Sequence, residues 1–373
     1  MPILKRGRKG FLHKIMKGII SVYILLCFAL PLTCVYASQD KINAKIEKIV
    51  RKHIKPNEPG AAICVIKNKK LLYKNAFGLA DVETKKTLQT DMIFDLASCS
   101  KQFTAMAILI LADKGMISLE DDITKYIPEI TTYDKTRPIR VIDLVYMVSG
   151  LGDLFHVTDT EPDYWRGGMS NDSVALLVGD TNLQFPTGEK YIYSNTDYCL
   201  LGLIVTRVSK KSFGAFLKSE IFDVIGMKNT IVFERMEQII PNRVFGWRRQ
   251  TEDSTWIRDV RNYPIIYGAS NIFSTIDDLA RWHQSLQAAK LVSATSHKLA
   301  FESGKLDSGD TTGYGFGWAV EPDGNIVWHT GMWAGTSTYI CRYLKEGLAV
   351  IILSNISNFD ADRLGDEILY LFL

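Results

Sequence analysis

Two stretches of strand-like sequence sit at opposite ends of the chain, and any fold must bring them together. AAICVIKNKKLLYKNAFG (61–78) reads as two strands about a turn at Asn68-Lys69, since β-branched and aromatic residues flank a polar break. NIVWHTG, GTSTYICRYL and LAVIILSN (325–354) read as three more, the last two joined through Lys345-Glu346-Gly347. Between the ends the pattern changes to longer helical runs: TAMAILILADKGM, NDSVALLVGD, DYCLLGLIVTRVS and IDDLARWHQSLQ. KINAKIEKIVRKHI (41–54) spaces Ile42, Ile46, Ile49 and Ile54 along one helical face and stops before Pro56, and DADRLGDEILYLFL resembles a closing helix. The expectation is an α/β (α+β) fold: an antiparallel sheet flanked by helices and built from both chain ends, with a mostly helical lobe inserted. The α/β lobe is expected over roughly 38–110 and 288–373, and the helical lobe over roughly 111–287.

Residues 1–37 carry six basic residues and no acid, then an apolar run from Ile19 to Val35 and the small-residue site Val35-Tyr36-Ala37. This reads as a secretory signal peptide cut after Ala37, which predicts a secreted or periplasmic protein. An uncleaved membrane anchor is the alternative, because 17 apolar residues lie at the lower limit for a bilayer span. The whole chain is at +3, but without the six basic residues of 1–37 it holds 38 Lys+Arg against 41 Asp+Glu, a net of −3. The basic excess therefore belongs to the targeting segment, and nucleic acid binding has no electrostatic support. The 336 residues of 38–373 exceed the usual limit for one compact core, which agrees with two lobes.

Cys64, Cys99, Cys199 and Cys341 remain after that segment. None has metal-ligand spacing, and each sits among apolar neighbours as a buried free cysteine does, so neither a metal site nor a Cys64–Cys341 bridge is expected. No metal or organic cofactor is implied.

The chemistry concentrates at DLASCSKQFTAM (95–106). If a helix follows Ser98, Lys101 lies at i+3 on the same face, and the helix N-terminus favours an ionised hydroxyl. A lysine desolvated by Phe94 and Phe103 loses affinity for its proton and can accept the serine's. YIYSNTDYCLLG adds Tyr193-Ser194-Asn195 ahead of a helical run, with a phenol whose pKa a nearby ammonium would lower and an amide that both donates and accepts. NIVWHTGMWAGTS adds His329-Thr330-Gly331 on a strand, where the glycine lets a substrate approach the backbone. Singly these motifs are weak. Ser38 and Lys41 repeat the first spacing, Tyr73-Lys74-Asn75 the second and Lys345-Glu346-Gly347 the K-x-G form of the third.

Together, in this order, they resemble the serine β-lactamase and penicillin-binding superfamily, in the branch of class C β-lactamases, family VIII esterases and D-aminopeptidases. The likeness extends through PGAAICVIKNKKLLYKNAFGLADVET, MISLEDDITKYIPEI, LVYMVSGL, FPTGEKYIYSN, STIDDLARW and YGFGWAVEPDG, over nearly all of 38–373. It implies a β-lactamase/transpeptidase-like fold with the site between an α/β and a helical lobe. It also implies Ser98 as acylated nucleophile, Lys101 and Tyr193 as proton-transfer pair, and Asn195 as a contact to lysine and substrate. The backbone N–H groups of Ser98 and Met332 would form the oxyanion hole, with His329 and Gly331 on the substrate side.

Three departures matter. His329 replaces a frequent lysine, so a substrate carboxylate lacks a permanent cation. Met147 replaces a frequent histidine, and GASNIFST (268–275) replaces a glycine-rich segment. The expected activity is an extracytoplasmic serine hydrolase acting on an ester or a D-amino-acid-containing peptide or amide. The alternatives are a class C-like β-lactamase and a catalytically silent binding or assembly protein. The expected partner is a small-molecule or peptide substrate, a cell-wall peptide or β-lactam among the candidates.

Overall fold

The computed structural model describes residues 39–131, 137–157, 169–179, 181–250, 254–259 and 265–373. The expected signal segment therefore lies outside the described residues. The chain divides into two compact units, Met1–Lys52 and His53–Leu373. In the first, residues 39–52 are helical, in line with the isoleucine spacing there.

The second unit contains the strands β1 (Ala61–Lys67), β2 (Lys70–Phe77), β3 (Phe94–Asp95), β4 (Ile231–Val232), β5 (Ile272–Ser274), β6 (Ala319–Val320), β7 (Ile326–Trp333), β8 (Thr336–Tyr343) and β9 (Leu348–Ser354). Its longer helices are α1 (Lys101–Asp113), α2 (Asn171–Gly179), α3 (Asn195–Ser209), α4 (Ile276–Gln287) and α5 (Ala361–Leu369).

A six-stranded antiparallel sheet runs in the order β6-β7-β8-β9-β1-β2, so the chain ends join where β1 pairs with β9, Cys64 opposite Ile351. The burial of each strand follows its place. LAVIILS of β9 is buried at every position between two neighbours, whereas KLLYKNAF of the edge strand β2 mixes exposed and buried residues. Asn68 and Lys69 both take positive φ, 50° and 65°, which makes the two-residue turn whose twist matches a hairpin. β3, β5 and β4 form a second small sheet.

α1 is buried from Lys101 through Leu111, as a helix apolar on all sides must be. It packs against α3, while the amphipathic α4 lies on β1 and β9. α4 thus belongs with the sheet although the expected division placed it in the helical lobe. Its buried Leu279, Trp282 and Leu286 need an apolar face, and the sheet supplies one. The four cysteines among the described residues are buried and unbridged, and β9 separates the strands of Cys64 and Cys341. No helix among the described residues is long and apolar enough to cross a membrane.

Candidate active site

Ser98 sits in a single 3₁₀ turn, Ala97–Ser100, directly before α1 rather than in the α-helix itself. The preceding Ala97 has φ +46°, a left-handed conformation that costs a non-glycine residue on the order of 1–3 kcal/mol. The buried Asp95 carboxylate holds it there by accepting the Ala97 N–H at 2.8 Å. This turn faces β7. A Cβ on Gly331 would stand 2.4 Å from Leu96 O and 3.1 Å from Ser98 N. The glycine therefore admits the backbone of the Ser98 turn, a close approach the sequence did not anticipate.

Lys101 is fully buried. Its Nζ lies 3.2 Å from Ser98 Oγ, 2.9 Å from Asn195 Oδ1 and 3.0 Å from Ala269 O. Burial pulls its pKa from 10.5 down to about 7. A neutral amine has two N–H bonds and one lone pair. Asn195 Oδ1 and Ala269 O can only accept, so both N–H bonds go to them and the lone pair is left for the Ser98 proton. Asn195 is fixed in this sense because its N–H and Nδ2 both donate to Asp153 Oδ2, at 2.6 and 3.4 Å.

Tyr193 places its ring centroid 4.8 Å from Lys101 Nζ. It exposes 38 % of its surface to the cleft, yet desolvation is the largest influence on its phenol and raises the pKa; the Ser98 hydroxyl pulls the other way. The sequence suggested a lowered value from a neighbouring ammonium. Desolvation reverses that expectation by favouring the neutral form of both groups, so the phenol keeps its proton while the amine sheds one.

His329 is buried and does not bond to Tyr193. Its Nδ1 donates to Thr330 O, and its Nε2 accepts from the Tyr314 hydroxyl at 2.9 Å. Burial lowers its pKa to about 3, helped by Lys101, so the ring is neutral. Met332 is 59 % exposed at the rim. Ser98, Tyr193, Asn195, His329 and Met332 line one cavity of about 380 Å³, whose apolar walls are Phe155, Ile266, Met332 and Trp333. No Lys or Arg lines it among the described residues.

The motifs left out several contributors. Asp153 orients Asn195, Ala269 provides the second acceptor for Lys101, and Tyr314 fixes the His329 tautomer. The departing segments take part too: Met147 Sδ accepts the Ser194 N–H at 3.3 Å, and GASNIFST contains Ala269. No local signal marks Asp153 or Ala269, because each acts through a contact distant in sequence. Tyr314 stands in YGFGWAV, where the resemblance covers it without assigning a role.

The Beta-lactamase family profile matches residues 46–372. The chain is 32% identical over 301 residues to Penicillin-binding protein 4* of Bacillus subtilis (strain 168), an alignment covering 76% of this chain and 65% of that protein. The chain thus spans about two thirds of that relative's length. Among solved structures, the octameric penicillin-binding protein homologue from Pyrococcus abyssi superposes with a TM-score of 0.76 at 23% identity, covering 89% of this chain and 77% of that one. The D-amino acid amidase from Ochrobactrum anthropi SV3 gives 0.75 at 21%, covering 89% and 98%. At these identities the likeness shows the fold. With the profile spanning nearly all of the chain, this protein belongs to the Beta-lactamase family, within the superfamily of serine β-lactamases and penicillin-binding proteins.

Proposed function

We propose that the chain is an extracytoplasmic serine hydrolase that cleaves an ester or a D-amino-acid-type amide through an acyl-enzyme on Ser98. The observation that carries this reading is the bonding of Lys101, whose only free position as a neutral amine faces the Ser98 hydroxyl. In the proposed sequence, Ser98 Oγ attacks the acyl carbon while its proton passes to Lys101 Nζ, and the carbonyl π electrons move onto oxygen. The backbone N–H groups of Ser98 and Met332 donate to that oxyanion, each stabilising it by roughly 3 kcal/mol. Collapse expels the alcohol or amine, which receives the Lys101 proton through the Tyr193 hydroxyl. Water then gives a proton to Lys101 and attacks the acyl-enzyme, releasing the acid as Ser98 regains its proton.

The cavity favours neutral substrates. Its walls are largely apolar, His329 is neutral and bonded to Tyr314, and no Lys or Arg among the described residues lines it to meet a substrate carboxylate. The extracytoplasmic placement rests on the basic and apolar segment at 1–37.

The test uses the full chain and Ser98→Ala, treated with a fluorophosphonate and mapped by mass spectrometry. Rates on p-nitrophenyl butyrate, a D-alanyl-D-alanine peptide and nitrocefin are measured in parallel. A label confined to Ser98, with the ester or peptide turned over faster than nitrocefin, is the expected outcome. A preference for nitrocefin by orders of magnitude would replace the proposal with a β-lactamase, and a label that persists in Ser98→Ala would remove the nucleophile.

A further inference from the structure

We infer that Asp153 is a positioning residue for acylation: through Asn195 it fixes which end of the amide meets Lys101, and it holds a negative charge one side chain away from the amine. The inference rests on the serine hydrolase reading above. Asp153 is almost fully buried, just before the helical turn Leu154–Val157. Its Oδ2 accepts both the backbone N–H and the Nδ2 of Asn195, and its Oδ1 accepts the Phe155 N–H at 3.0 Å. With Nδ2 turned to Asp153, Oδ1 must face Lys101. A flipped amide would set an N–H group against the amine and break that contact.

Among the described residues, Asp153 is also the one charged group that acts on Lys101. Desolvation lowers the affinity of the amine for its proton, while Cys199, Asp153 and Cys99 oppose it, in that order. Burial pushes both thiols up to about 12, so at neutral pH they carry no charge. Tyr193 and Tyr198 are held protonated by desolvation, His329 is neutral, and Tyr314 is turned to His329. Asp197 lies nearby on α3, but burial pushes its carboxyl upward, and it bonds Ser149 rather than the lysine. Asp153 remains.

Removing that charge destabilises the ammonium, so the amine loses its proton at lower pH. The experiment follows kcat/KM for p-nitrophenyl butyrate against pH in the wild type, Asp153→Asn and Asp153→Ser, with labelling of Ser98 and thermal melting as controls. The acid limb of kcat/KM reports the free enzyme. The wild-type midpoint is expected near 7. Both variants should move it down by about one pH unit, as expected for a charge within two hydrogen bonds in a partly shielded site. The plateau should fall too, further in the serine variant, which holds Asn195 less well. A merely structural role would lower the melting temperature and the plateau but leave the midpoint in place. A midpoint unmoved or raised in both variants, with the wild type labelled on Ser98, overturns the assignment to Asp153 alone. A wild type that takes no label on Ser98 overturns the hydrolase reading and this inference with it.

Discussion

Among the described residues, two cationic side chains are withdrawn from solvent, Lys101 at the start of α1 and Arg342 on β8. Burial lowers both, Lys101 from 10.5 to about 7 and Arg342 from 12.5 to about 9. Only the lysine reaches neutrality at physiological pH. Their surroundings differ as well. Lys101 meets three oxygens beside the cavity, whereas Arg342 donates its Nε to His283 Nδ1 at 3.1 Å and packs over Phe301 and Trp318. Similar burial thus yields an amine that can be neutral near pH 7 in one place and a lasting charge in the other. Side-chain type and the presence of a proton donor separate them; perturbation alone does not mark a site.

The comparison breaks most sharply at Lys101→Arg. A guanidinium keeps its proton, so turnover of p-nitrophenyl butyrate should fall by roughly a thousandfold, within the range of a positioned base. Thermal melting checks that the variant folds, and activity within tenfold of wild type would end the role of the lysine as proton acceptor. Tyr193→Phe removes the phenol that stays protonated and should cost at least about a hundredfold in kcat. Near-normal turnover would leave proton transfer to Lys101 alone.

His329→Lys places a lysine on the cavity wall and sharpens the contrast from the substrate side. The ratio of kcat/KM for nitrocefin over p-nitrophenyl butyrate should rise about tenfold, the worth of one charge-assisted contact in a partly solvated cleft. An unchanged ratio would mean that position 329 does not reach a substrate carboxylate. Arg342→Met should do least. Activity is expected within about threefold of wild type, and unfolding by denaturant should show stability changed by no more than about 2 kcal/mol, because a buried cation whose hydrogen bond goes to the neutral His283 gives way to a side chain that needs no partner. A larger loss of activity would tie Arg342 to the site.

Much of the sheet was legible because its strands are long enough to show a pattern. LAVIILS read as a strand, and the Asn68-Lys69 break read as a turn; the central place of LAVIILS in the sheet came from the structure. β3, β4, β5 and β6 have two or three residues each, too few for any period to register. At the site, Ser98 and Lys101 are neighbours on one helical turn, so their spacing carried a mechanism. Tyr193 and His329 could be joined to them only through resemblance to a family. Gly331 was singled out for its missing side chain, but the sequence could not say that Leu96 O and Ser98 N fill the space.

What the sequence determined by itself is whatever depends on neighbours along the chain: the helix of α1, the hairpins, the pairing of a serine with a lysine one turn away, and the absence of a basic stripe. Tertiary structure decided everything that depends on desolvation and on contacts distant in sequence. The same Ser-x-x-Lys spacing occurs at Ser38 and Lys41, where Lys41 is exposed. Lys101 can shed its proton near neutrality because packing removes its water and leaves Asn195, Ala269 and Ser98 to take the bonds that water would have made. The energy of a buried charge is set by what surrounds it in space, and no spacing along the chain encodes that.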